Sequence, residues 1–340
     1  MSDTVRKLLK NVCSDISQET LTDLNSKRIK LLDHTVLLVK SAMRNEDLTD
    51  MAMGSGISRS QLSRLDTRRP YQVFVEMFYS LLYPYIMSHN YAIYSRFLNI
   101  MGIDSTFIRT RIRESGKYRR QKTENGIKMH SASITFPFTL PVESVVTPAN
   151  MNDSPEFDVI LSGIDPDLLG ESILTFDLGY YDLERFRKLK EEGIRFVTRI
   201  KKNASYVVEK EYAHSRIIRF RNGIVMRLVS LMIEGKQRDY LTDIMDMPDI
   251  YIHYIYRQRW SIEIFFRTMK SYLKLDHLIS KKINGIMVQI FTALIAYIVL
   301  MMIQDMLSPF IGIPDLVRYI RHGIPLPFKS DGKTTIQYAI

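Results

Sequence analysis

The chain has 340 residues, a quarter of them charged and 46% hydrophobic, with 47 lysines and arginines against 37 acidic residues, a net charge of +10. That apolar content can bury a large core and excludes a disordered tail. The single cysteine, Cys13, can form no internal disulfide and excludes a Cys-rich zinc centre, which points to a reducing, cytoplasmic setting.

The N-terminus, MSDTVRKLLKNV, has neither the apolar run nor the small-residue cleavage site of a secretory signal. The basic surplus points to a polyanion, either nucleic acid or an acidic membrane surface. Residues 1–98 read as helical: Leu8, Leu9 and Val12, then Ile29, Leu32, Val36 and Val39, recur at helical spacing, and neither Gly nor Pro occurs before Gly54. Leu48 to Asp66 has the spacing of a helix-turn-helix. Ala52 is the small residue of its first helix, Gly56 the turn, Ser58 the cap, and Leu62 and Leu65 the inward face. Arg59, Ser60, Gln61 and Arg64 would then face a DNA groove; the same spacing also suits an ordinary helical hairpin. An apolar, aromatic helix from Val73 to Phe97 follows, with a kink or break expected at Pro84.

Strand texture begins near residue 98. Phe97 to Asp104, Phe107 to Ile112 and Ile127 to Phe136 read as three strands, with a loop from Gly116 to Gly126. A helix (Pro155 to Gly163), a strand (Ser172 to Asp177), a helix (Asp182 to Glu192) and a strand (Ile194 to Ile200) come next, an α/β plan with a mixed sheet. Residues 201–246 are strand-like again and read as a β-rich insertion. Charge is blocked along this region: eight basic and two acidic residues from 107 to 128, twelve acidic and four basic from 143 to 192, nine basic and two acidic from 195 to 227. Basic blocks around an acidic one suit a basic surface with an embedded carboxylate site.

Asp104 closes the first strand in IMGIDST and Asp177 a later one in ILTFDLGYYD. Carboxylates at strand ends beside small residues suit Mg²⁺, although an Asp that merely opens a turn is the commoner outcome. A third carboxylate lies in YRQRWSIEIFFRTMKSYLKL. On a single helix of ~100° per residue, Tyr256, Arg259, Glu263 and Lys270 share one face about 60° wide, beside an apolar stripe containing Ile255, Ile262, Phe266, Met269 and Leu273. The one segment apolar enough to suggest a membrane, Ile286 to Ile303, reads as a buried core helix.

The spacing Tyr-x2-Arg-x3-Glu-x6-Lys resembles the signature of prokaryotic insertion-sequence transposases that carry a DDE triad on an RNase H-like fold. IDST, FDLGYYD, RFVTRIKKNASY and LTDI (Leu241 to Ile244) resemble further segments of that family, so the likeness spans about residues 99–305. It implies an RNase H-like mixed sheet with flanking helices at 99–200 and 247–307, interrupted by the β-rich 201–246. An all-α, DNA-binding 1–98 would precede it, and a C-terminal tail at 308–340, free of motifs, would follow.

The resemblance further implies Asp104, Asp177 and Glu263 as catalytic residues and ligands of two ions, Mg²⁺ or Mn²⁺, with Asp104 shared between them. Tyr256, Arg259, Lys270 and Arg267 would hold DNA phosphates, joined by Lys201 and Lys202, while Arg59 and Arg64 would contact DNA from the helix-turn-helix. The partners implied are double-stranded DNA, at element ends and target, and a second copy of the chain; no membrane is expected, and the location is the nucleoid. Tyr206, Tyr212, Phe220 and Trp260 stay open as the aromatic that stacks on a flipped base, a lone Trp being more often a core residue. Lys128 and His130 resemble a Lys-x-His pattern near the family's site, and a strand histidine is more often structural. Rival functions are an RNase H-like nuclease without strand transfer and an element-derived, non-catalytic DNA-binding protein.

Overall fold

The computed structural model describes residues 2–15, 29–88, 99–112, 118–121, 124–136, 138–308, 311–330 and 333–337. In chain order these form α1 (Ser2–Asp15), α2 (Leu31–Arg44), α3 (Leu48–Ser55), α4 (Arg59–Arg68), α5 (Tyr71–Ser88), β1 (Asn99–Arg109), β2 (Arg119–Gln121), β3 (Glu124–Phe136) and β4 (Leu140–Pro148). Next come α6 (Asp153–Ser162), α7 (Pro166–Gly170), β5 (Ser172–Phe176), α8 (Leu183–Glu191), β6 (Arg195–Arg199), β7 (Tyr206–Glu211), β8 (Ser215–Phe220), β9 (Val225–Ile233) and β10 (Lys236–Thr242). The chain continues with α9 (Asp249–Gln258), α10 (Trp260–Tyr272), α11 (Ile283–Leu307), α12 (Ile313–His322), β11 (Leu326–Ser330) and β12 (Lys333–Gln337).

One large sheet has the order β2-β3-β1-β5-β6-β10-β9-β8-β7, with β4 paired to β3. Strands β1, β5 and β6 run parallel; β3 with β4, and β6 through β10, β9, β8 and β7, pair antiparallel. The mixed α/β plan read from the sequence is therefore present. The strands of 201–246 extend the same sheet, joined through β10 to β6.

Four buried threonines stitch neighbouring strands. Thr135 and Thr175 donate to the carbonyls of Ile100 and Met101 on β1, Thr198 to Phe176 and Thr242 to Phe196. Each β-branched side chain suits a strand, and each hydroxyl is satisfied although buried.

The chain divides into two compact units, one of residues 1–91, 108–126 and 267–340, the other of 92–107 and 127–266. In the first, α11 packs against α2, α4, α5 and α12. It is the one helix among the described residues long and apolar enough to cross a membrane, and most of it is buried inside this unit. It is a core helix, as its sequence suggested. In the second unit, α9 lays Ile252 and Ile255 on Ile100, Ile173, Val197, Val229 and Tyr240 of the sheet.

Several boundaries differ from expectation. The two strands expected at 97–104 and 107–112 are one, β1, because Ser105 and Thr106 tolerate extended backbone and no Gly or Pro interrupts them. β4 was not foreseen, since its mixed sequence LPVESVVTP hides the alternation of a strand. Pro84 lies inside α5 without ending it, and the remainder of the expected helix, 89–98, lies outside the described residues. The C-terminal segment, read as a featureless tail, contains α12 and the β11–β12 hairpin; Arg321 of α12 donates to the carbonyls of Met43 and Tyr272.

Candidate active site

The site begins with strand register. Ile103 of β1 pairs with Phe176 of parallel β5, so Asp104 and Asp177, each the next residue, stand level on adjacent strands roughly 5 Å apart. Asp177 follows the end of β5, as expected. Asp104 does not end its own strand: β1 runs on to Arg109, and what ends beside Asp104 is β5, which exposes one side of β1 there. The Asp177 carboxylate accepts from the Gly179 backbone N–H (2.8 Å), and Asp104 from that of Ser105 (2.8 Å), which fixes one oxygen of each.

Glu263 reaches this edge from the first turn of α10. An added Cβ on Gly102 would lie 2.9 Å from Thr135 Cγ2 on β3, so the bare backbone of β1 makes room for that threonine, while Ile262 of α10 lies beside it at ordinary contact distance, 3.6 Å. Ile262 is fully buried there, with Glu263 next to it, half-buried.

Arg259 links the two elements. Its Nη1 donates to Asp104 Oδ2 (2.8 Å) and its Nη2 to Glu263 Oε1 (2.6 Å), with the side chain 15% exposed. The Tyr256 ring lies 5.9 Å from the guanidinium carbon and 5.3 Å, centroid to centroid, from the Tyr240 ring. Tyr240 in turn hydrogen-bonds its hydroxyl to His253 Nδ1 (2.7 Å).

The signature does not lie on one uninterrupted helix. α9 and α10 meet at Arg259, where bonds from Arg259 N–H to Tyr256 O and from Ile262 N–H to Arg259 O tighten the turn although the backbone stays right-handed helical. Arg227 secures the approach to α9: it is buried and donates to the carbonyls of Ile244 and Met247 and to the Asp249 carboxylate. Sequence reading missed Arg227, since one Arg in a basic block carries no mark of its partners.

Electrostatics report the crowding. The Asp104 carboxyl is pushed up to about 6, chiefly by burial; the Ser105 N–H and Arg259 pull it down, while Asp177 and Glu263 push it up. Tyr180, fully buried, is raised by burial and then by Asp104, Asp153 and Asp177, with the Ser105 side chain opposing. Nothing in the sequence singles out Tyr180 beyond its place in LGYYD, three residues past Asp177.

A donor set of three carboxylates suits a hard, oxygen-seeking cation such as Mg²⁺ or Mn²⁺. As the side chains stand, no three His, Cys, Asp or Glu groups among the described residues converge tightly enough to ligate one ion together, and Arg259 occupies an oxygen of two of these three. The fit is one of donor chemistry.

The remaining expected residues fall elsewhere. Lys128 Nζ donates to Asp153 Oδ1 and Met151 O; buried His130 pairs through Nε2 with Thr147 Oγ1 (2.8 Å). Lys201 lies over the Tyr181 ring, 4.8 Å from its centroid, and Lys202 is exposed in the following turn. Trp260 is 57% exposed, contrary to the core position expected of a lone Trp. On α10, Arg267 is exposed and Lys270 half-buried.

Leu48 to Asp66 folds as two helices around Gly56, at φ +69°, with Ser58 capping α4. Arg59, Ser60 and Arg64 are exposed on α4, whereas Gln61 turns back to the Ser58 backbone N–H in a capping box and is not a free groove-facing side chain.

Comparison with known proteins identifies the family. Residues 96–299 match the model of the transposase DDE domain. A chain from Synechocystis sp., assigned as the transposase of insertion sequence element IS4SA, is 26% identical over 309 residues, covering 86% of this chain and 84% of its own length. A Geobacillus stearothermophilus chain assigned to element IS5377 is 26% identical over 208 residues, or 53% of this chain and 50% of that relative. A further transposase relative, from Sinorhizobium fredii, is 26% identical over 198 residues.

The chain belongs to the transposase DDE-domain family, which implies dependence on divalent metal. It is an insertion-sequence DDE transposase.

Proposed function

We propose that this transposase cuts and joins phosphodiester bonds at the ends of an insertion sequence through Asp104, Asp177 and Glu263, on an RNase H-like core. The observation that carries the reading is the bridge from Arg259 to Asp104 and Glu263, with Asp177 level with Asp104 on the next strand. Asp104, Asp177 and Glu263 would hold two Mg²⁺ or Mn²⁺ ions, which when bound activate the nucleophile and stabilise the leaving oxygen. The Gly179 and Ser105 N–H groups orient two of the carboxylates, and packing of Ile262 against Gly102 holds the third. Tyr256, Arg259, Arg267 and Lys270 follow one another along α9 and α10 and would grip phosphates near the cut. Lys201 and Lys202 add cations at the start of the antiparallel strands, and Arg59 and Arg64 of α4 would read the terminal inverted repeats. Two chains would pair two ends, and the 3′-hydroxyl released by hydrolysis would attack target DNA.

The test uses DNA duplexes carrying the element's own ends. Asp104→Asn and Glu263→Gln should each abolish Mg²⁺-dependent cleavage while leaving binding of those ends intact. Normal cleavage by either variant would remove that residue from the triad, and cleavage that persists in EDTA would remove the metal mechanism.

A further inference from the structure

Arg259 makes two charged hydrogen bonds to two different carboxylates, one on β1 and one on α10, through two different nitrogens. This is a cross-link between elements; a lone ammonium, lacking the rigid fork of a guanidinium, reproduces it poorly. Its third nitrogen, Nε, is buried, and Tyr256 lies beside the guanidinium, its ring 5.9 Å from the central carbon. Asp104 and Glu263 are also two of the three oxygen donors that the triad reading offers a metal ion, and among the described residues no three such donors stand close enough to hold one ion together.

Resting on the triad reading above, we infer that Arg259 is an internal counter-ion that competes with the divalent metal for Asp104 and Glu263, latching the site until the guanidinium is drawn away. Phosphate is the natural group to draw it, since it accepts the same forked pair of N–H bonds as a carboxylate. A DNA strand entering the site would release the carboxylates as it captures the arginine. Metal loading is thereby coupled to DNA engagement.

The latch makes a counterintuitive demand: loss of a charged contact in the site should improve metal binding. Binding of Mn²⁺ to the full-length, EDTA-stripped chain without DNA is measured by titration with electron paramagnetic detection of free Mn²⁺. Arg259→Ala should bind Mn²⁺ about tenfold more tightly than wild type, a difference of ~1.4 kcal/mol. Arg259→Lys keeps the charge but cannot span both carboxylates, and should show a smaller rise in the same direction; it also serves if the alanine variant folds poorly. Arg257→Ala removes an exposed charge two residues away and should leave affinity within about twofold, because a solvated charge is largely screened.

Unchanged or weaker Mn²⁺ binding in both Arg259 variants would overturn the latch, as would an equal rise in Arg257→Ala. Asp104→Asn separates the two levels of argument. If it lowers Mn²⁺ affinity while the Arg259 variants do not raise it, the triad reading stands and the latch fails. If it leaves Mn²⁺ affinity unchanged, the triad reading fails and the latch with it.

Discussion

Gly102 is where a single missing methyl group leaves room for a neighbouring strand. An added Cβ would meet Thr135 Cγ2 at 2.9 Å, and Thr135 is anchored by its bond to Ile100 O. Gly102→Ala must therefore push Thr135 of β3 aside, and should cost about 1–3 kcal/mol in urea unfolding. A variant as stable as the wild type would show that Thr135 gives way freely.

His130 illustrates the reverse lesson, a suggestive sequence pattern with a structural explanation. Burial, with Lys128 adding to it and Asp153 opposing, pushes the imidazole down to about 4, against ~6.5 in an unfolded chain. Between these values the unfolded chain binds a proton that the folded chain does not, so stability rises with pH across the window and is lost as pH falls through it. On going from pH 7 to pH 5 the wild type should lose about 2 kcal/mol more than a His130→Asn variant. Parallel pH profiles of the two would argue that His130 is not held neutral by its surroundings.

Elements are placed by a few polar side chains acting at helix ends. Asn284, in the first turn of α11, accepts from the Tyr71 N–H and donates to the carbonyls of Asp66, Thr67 and Arg69, closing the end of α4 and the start of α5 together. His34 supports the same corner through Asp66 (2.9 Å), while Arg69 reaches Ile29 O. Asn284→Ala leaves several buried backbone groups unpaired and should destabilise this unit by about 1–3 kcal/mol. Hydrogen exchange should localise the loosening to residues 59–75. Exchange changes spread evenly along the chain would contradict a corner clamp.

This scale also marks how far helical arithmetic could go. It identified the apolar stripe of Ile255, Ile262, Phe266, Met269 and Leu273, all buried, because that depends on local periodicity. It could not see the tightened turn at Arg259, which splits the expected single helix into α9 and α10, nor β4, whose pairing is with another strand, β3.

At the scale of the whole molecule, the net charge of +10 is spread over blocks that the chain carries to several elements. If six or more phosphates are neutralised, affinity for duplex DNA should fall by about 10³ or more between 50 and 200 mM salt. Asp104→Asn should keep the wild-type salt slope, measured by fluorescence anisotropy, since a carboxylate of the site replaces no counter-ion on DNA; a slope changed by more than about one unit would mean that this residue helps organise the DNA surface. The sequence by itself determined the apolar periodicity, the α/β order and the core nature of α11, because each is written in local composition or periodicity. Tertiary structure alone decided that Asp104 and Asp177 stand level, that Gly102 leaves room for Thr135, that Gln61 caps a helix and Trp260 faces solvent, and that Arg259 bridges two carboxylates 159 residues apart in the chain. Strand register, close approach and ion pairing are set by contacts between distant residues, and no local pattern records them.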